Sequence, residues 1–116
     1  HEFVVLPYEE GTPYMFFFFF FTPELAFLMT DPFVFFPDYS FELDDTNMEK
    51  LGVEAMDDIL VCTLISIPPT GIANMTTNLL APVVINRHSR EARQVVLEKT
   101  QYTTKHRLFP KKKEAE

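Results

Sequence analysis

The chain has 116 residues, 47% of them hydrophobic, so it holds one domain that can bury a single core without disulfides or a metal. The net charge of −7 is unevenly divided: residues 1–60 carry thirteen acids and Lys50 alone, a balance of −12, while residues 61–116 carry nine Lys or Arg against four acids, a balance of +5. This excludes general nucleic-acid binding and suits a basic protein partner, and a single cysteine excludes an internal disulfide.

Elements are read in chain order from apolar periodicity and turn residues. "EFVVL" is a strand, followed by the turn "PYEEGTP" with Gly11 and Pro13. Phe16 to Phe21 follow as an unbroken row. In a strand, successive side chains point to opposite faces, so both faces of this one are aromatic and a solvated face is excluded. The row is also far shorter than the ~20 residues of a membrane-spanning helix. "AFLMT" reads as a strand ending at Asp31 and Pro32, and "FVFF" as a strand ending at Pro37 and Asp38. "YSFEL" alternates, placing Tyr39, Phe41 and Leu43 on a buried face and Ser40 and Glu42 in water.

One short helix is expected within Thr46 to Leu51. Thr46 and Glu49 have capping-box spacing, Asp44 and Asp45 lie at the positive end of the helix dipole, and Gly52 can close the C-terminus. "ILVCTLISI", Ile59 to Ile67, is apolar on both faces and reads as a central strand, broken by "PPTG". "NMTTNLLAPVVIN" and "RQVVLEK" flank the polar "RHSREA" as a hairpin with a longer connection, bulged at Pro82 or lying at an edge. The tail "KHRLFPKKKEAE" has little to bury, and 111–116 are expected to be a flexible charged end. Many short strands and one helix predict an all-β fold, an antiparallel barrel-like single domain.

Catalytic candidates are few. His88 and Ser89 adjoin in a turn, but a nucleophile and base are paired by geometry rather than adjacency. Cys62 in its apolar run reads as a small buried hydrophobe. No His or Cys stands at metal-ligand spacing, the doublets Asp44/Asp45 and Asp57/Asp58 read as a helix cap and a loop, and three scattered glycines form no phosphate cradle. The reading is a binding protein rather than an enzyme, with no cofactor. With one cysteine and no targeting segment at its start, the chain is expected in a reducing cytoplasm; it opens at His1, so it is expected to be processed or a fragment.

At "TPELAFLMTDPFVFFPDYSFEL", then "NLLAPVVIN" and finally "QYTTKH", the chain closely resembles the flagellar assembly factor FliW family. The resemblance implies a cytoplasmic barrel-like β domain over 1–110, preceded in the family by one or two further strands. It also implies two partners: the RNA-binding translational regulator CsrA, whose repression of flagellin synthesis members relieve, and flagellin itself. No membrane or nucleic acid is bound directly, and the free protein is expected to be a monomer. Contact residues are sought in the matched segments: Asp31, Phe33, Asp38 and Tyr39 around "DPFVFFPDY", and Asn78 and Asn86 flanking "LLAPVVI". The alternative is a dedicated flagellin chaperone without direct translational control. The family has a mixed stretch with polar residues where Phe16 to Phe21 stand, so the row of rings is expected not to be the natural sequence at that place.

Overall fold

The computed structural model describes residues 3–19 and 22–110. Strands β1 (Phe3–Pro7) and β2 (Tyr14–Phe19) form an antiparallel hairpin whose register runs from Phe3 opposite Phe19 to Pro7 opposite Met15. Its turn is closed by the Thr12 hydroxyl donating to the Glu9 carbonyl, and Gly11 takes a φ of +87° that few other residues tolerate. Strand β3 (Thr22–Thr30) pairs with β2, with an irregularity between Phe18 and Phe19.

The row of rings thus becomes an aromatic strand. Phe17 stacks on Phe3 with centroids 4.9 Å apart, on the face where Phe3, Phe17, Val5 and Met15 pack against Met29, Cys62, Val83 and Ile85. Phe16, on the opposite face, packs against Tyr8 at 5.6 Å. Phe16, Phe17 and Phe18 are all half-buried, so rings on both faces find partial cover. Phe20 and Phe21 lie outside the described residues, as does the tail 111–116.

"FVFF" is not a strand. Pro32–Phe35 form a single helical turn, α1, because Asp31 caps it and Pro32 at its first position is already set at a helical φ and has no N–H to leave unpaired. "YSFEL" keeps its alternation, with Tyr39 and Leu43 buried and Ser40 and Glu42 exposed, but it is extended chain without a ladder. The expected helix is present as α2 (Asp45–Leu51), capped by the Asp44 carboxylate, which accepts from the amide of Asn47 at 2.7 Å, and closed by Gly52 in the left-handed region. The cap is therefore Asp44, two residues ahead of the capping box expected at Thr46.

Strand β4 (Ile59–Ser66) is central, as its composition predicts: it pairs with β3 on one side and with β5 (Thr76–Thr77) and β6 (Val83–Asn86) on the other. It is not covered throughout, since Leu60 is 42% exposed. "NMTTNLLAPVVIN" is two strands rather than one. The Asn78 side chain accepts from the Ala81 amide at 2.9 Å and turns the chain between β5 and β6, leaving Pro82 just ahead of β6 where no ladder donor is needed. Strand β7 (Ala92–Gln94) completes the expected hairpin with β6. The tail buries more than its composition suggests: β8 (His106–Arg107) pairs with β5, and Leu108 is buried with its amide on the Met75 carbonyl.

Among the described residues all pairings are antiparallel and none closes the sheet on itself, so the architecture is barrel-like. Because β6 is buried on both faces, it separates two cores. Val84 packs with Leu43, Leu51, Val53, Ile59, Val95 and Leu97; Val83 and Ile85 pack with Met29 and Cys62 under the β1–β2 hairpin.

Candidate partner-binding corner

Of the six residues singled out from sequence, Asp31 and Phe33 stand together where β3 passes into α1, and Asp38 follows in the turn after that helix. Asp31 accepts the Phe33 amide at 2.9 Å, which leaves its second carboxylate oxygen for another partner. Phe33 is 41% exposed, its ring 5.7 Å from that of Tyr39, and Val34 beside it is exposed too. Asp38 is exposed in the turn closed by the Tyr39 amide on the Phe36 carbonyl. A shallow cleft of about 260 Å³ adjoins this corner, lined by Asp31, Phe33, Met56, Leu60, Val61 and Arg87. Sequence reasoning missed Met56 and Leu60. Leu60 sits in a run that reads as wholly buried, and only its position on β4 beyond the end of the β3 ladder leaves it open.

The other three are occupied by internal bonds, Tyr39 and Asn86 buried and Asn78 half-buried. Tyr39 is buried, and its hydroxyl donates to the Leu79 carbonyl at 2.7 Å; burial, and secondarily Tyr102, push its phenol far above the usual range. Asn78 holds the turn described above. Asn86 is buried: its amide donates to the Leu51 carbonyl at 2.7 Å, and its oxygen accepts the backbone amides of His88 at 2.8 Å and Ser89 at 3.2 Å. It ties the end of α2 to the β6–β7 turn.

Acidic side chains crowd the segment that follows the corner. From residue 38 to 57, Asp38, Glu42, Asp44, Asp45, Glu49, Glu54 and Asp57 are all exposed, and Lys50 is the one basic residue. The other titratable groups do not assemble. His88 meets Asp58 at 3.0 Å on the surface, while the Ser89 hydroxyl accepts from the Glu91 amide. Cys62 is buried beside Met15, with the sulfurs 3.3 Å apart; burial, and secondarily the Asp31 carboxylate, push its thiol up to about 11, so it stays protonated and weakly nucleophilic. Among the described residues no group of three or more His, Cys, Asp or Glu is placed to hold a metal, and no helix is long and apolar enough to cross a membrane.

Fold and corner together define a class: a small acidic, barrel-like antiparallel β domain, whose polar side chains hold turns and whose surface is apolar and acidic at one corner. The family model described as FliW protein matches residues 1–108. The "Flagellar assembly factor FliW" of Heliobacterium modesticaldum is 47% identical over 108 residues, covering 93% of this chain and 70% of that protein. That of Geobacillus thermodenitrificans is 40% identical over 111 residues, covering 96% and 76%. A crystal structure of the flagellar assembly factor FliW superposes with a TM-score of 0.86 at 39% identity, covering 95% of this chain and 76% of that one. The chain belongs to the FliW family.

Proposed function

We propose that the protein is a non-enzymatic, cytoplasmic flagellar assembly factor that binds CsrA, relieves its repression of flagellin mRNA, and exchanges that partner for flagellin. The observation that carries this reading is the run of exposed carboxylates from Asp38 to Asp57 next to the apolar corner of Phe33 and Val34. CsrA binds RNA phosphates and must be basic near that site. An acidic surface docking beside it speeds encounter and lowers the local positive potential without occupying the RNA site. Asp31, Phe33 and Asp38 are the contact residues offered. Tyr39, Asn78 and Asn86 support the corner from within.

Calorimetric titration into CsrA, with flagellin as competitor, tests this. Asp38→Lys, which breaks no hydrogen bond, should weaken binding, and so should Asp31→Asn, which retains the helix cap while removing charge. Heat of binding with flagellin and none with CsrA would promote the alternative, a dedicated flagellin chaperone. The exposed apolar side chains of α1 favour that second reading.

A further inference from the structure

The corner is seated on the last segment of the chain rather than in a ladder. Residues 32–44 contain no strand, and the turn after α1 is shaped by two backbone bonds, from the Phe36 amide to the Pro32 carbonyl and from the Tyr39 amide to the Phe36 carbonyl. The rings of this turn lie against residues 102 and 106. Phe36 meets His106 edge-on at 5.9 Å, and Tyr39 meets Tyr102 edge-on at 4.8 Å. Tyr102 in turn meets His106 at 6.1 Å, and its hydroxyl accepts the Ser40 amide at 3.2 Å.

These contacts close into a circuit. His106 Nε2 accepts the Thr103 amide at 2.8 Å, and the Thr103 carbonyl accepts the amides of Leu79 at 3.2 Å and Leu80 at 3.1 Å. The Leu79 carbonyl accepts the Tyr39 hydroxyl at 2.7 Å. The Tyr39 amide donates to the Phe36 carbonyl, and the Phe36 ring returns to His106. Strand β8 anchors one side, since His106 stands opposite Thr77 of β5. Tyr39 also carries the Phe33 ring at 5.7 Å, so the exposed ring of the corner rests on a circuit that contains one protonatable nitrogen.

We propose that His106 is a positioning residue for the corner, and that a proton on its Nε2 loosens the circuit and weakens partner binding there. A neutral imidazole accepts the Thr103 amide through Nε2 while its proton sits on Nδ1; a protonated one has donors only, so two N–H groups face each other and the loop turns away. The Thr103 carbonyl moves with its amide, and Leu79, Tyr39 and Phe33 follow through the contacts above. The charged and titratable groups around His106 are Tyr102, Tyr39 behind it, Asp38 in the exposed turn, and Lys105 and Arg107 on either side in the chain, with Arg107 held by Asn74 at 2.9 Å. Helix α1 and strand β5 carry none. The inference rests on the corner being a partner surface and adds its regulation: the corner is set near neutral pH and loosens as the pH falls. By linkage, a bound partner makes His106 harder to protonate.

The test has two arms. In the free protein, amide exchange at Phe36 and Tyr39 is compared between the unsubstituted chain and His106→Gln, whose side-chain oxygen accepts from Thr103 whatever the pH. The two should match at about pH 7.5, and the unsubstituted chain should exchange roughly fivefold faster at about pH 5.5. Equal exchange at the lower pH overturns the positioning role, whatever binds the corner. In the second arm, calorimetric titration into CsrA at both pH values should show affinity falling roughly fivefold more for the unsubstituted chain than for His106→Gln, since His88 and the partner's own groups are common to both. In the unsubstituted chain, the His106 ring followed by NMR should protonate at a lower pH with the partner bound. An equal fall in both proteins, or an unmoved ring titration, overturns the regulation. No binding at either pH, with the exchange difference present, supports the positioning role and overturns CsrA as the occupant.

Discussion

The backbone amide of Thr103 donates to Nε2 of His106 across 2.8 Å, a bond that exists only while that nitrogen is unprotonated. The Thr103 carbonyl in turn accepts the amides of Leu79 and Leu80, and the His106 ring meets Phe36 and Tyr102 edge-on. One neutral imidazole therefore holds the final loop against the β5–β6 turn. Burial also lowers the pKa of His106 from its ordinary 6.5.

The sign of the resulting pH dependence follows. Below about pH 6.5 the unfolded chain takes up a proton on this histidine more readily than the folded chain, so stability falls as the pH drops. The contribution is complete above that pH. Urea midpoints at about pH 8 and about pH 5.5 should differ more for the native protein than for His106→Gln, whose amide oxygen can accept from Thr103 at either pH. Equal shifts in both proteins would remove His106 from this role.

Thr63 and Thr77 are fully buried with their hydroxyl oxygens 2.6 Å apart, and the Thr77 oxygen is also 2.9 Å from the Leu64 carbonyl. Changing Thr77 to valine leaves the buried Thr63 hydroxyl without its partner and should cost about 1–3 kcal/mol, while Thr63→Val leaves the Thr77 hydroxyl on the Leu64 carbonyl and should cost less. The double variant should cost less than the sum of the singles, because no orphaned hydroxyl remains in the pair. A double-mutant cycle from urea unfolding measures this, and additive costs would refute it.

Asn86→Ala should destabilise the fold by roughly 2–3 kcal/mol, since it orphans the Leu51 carbonyl and two turn amides at once. Amide exchange should then quicken first at the end of α2 and in residues 87–91, the two places this side chain joins. A uniform acceleration across β4 and β6 would show that the loss is global.

Within the aromatic strand the two faces should respond differently. Phe17→Ala removes a ring stacked on Phe3 over the inner core and should cost roughly 2 kcal/mol, about half the cost for a fully buried ring. Phe16→Thr trims the opposite face, where Tyr8 is the ring partner, and should chiefly reduce aggregation measured by light scattering. If Phe16→Thr proves the more destabilising, the packing described for the two faces is wrong.

The candidate corner was legible only in part. Asp31, Phe33 and Asp38 surround two prolines in a short segment, and the exposure of Phe33 and Asp38 follows from the turns those prolines enforce. Asn86 looks equally like a surface residue in sequence, and the alternation that puts Tyr39 on a buried face does not show where its hydroxyl goes. A tyrosine hydroxyl or an asparagine amide is buried only when a distant carbonyl is brought to it, here Leu79 and Leu51. Neither pairing leaves a local trace.

By itself, the sequence determined what depends on near neighbours. Alternation at Tyr39 to Leu43, the apolar run of β4, the hairpin around "RHSREA" and the closure of α2 at Gly52 all follow from side-chain period and backbone sterics. Tertiary structure decided what depends on long-range pairing. There β5 supplied a partner that made His106 and Arg107 a strand and buried Leu108.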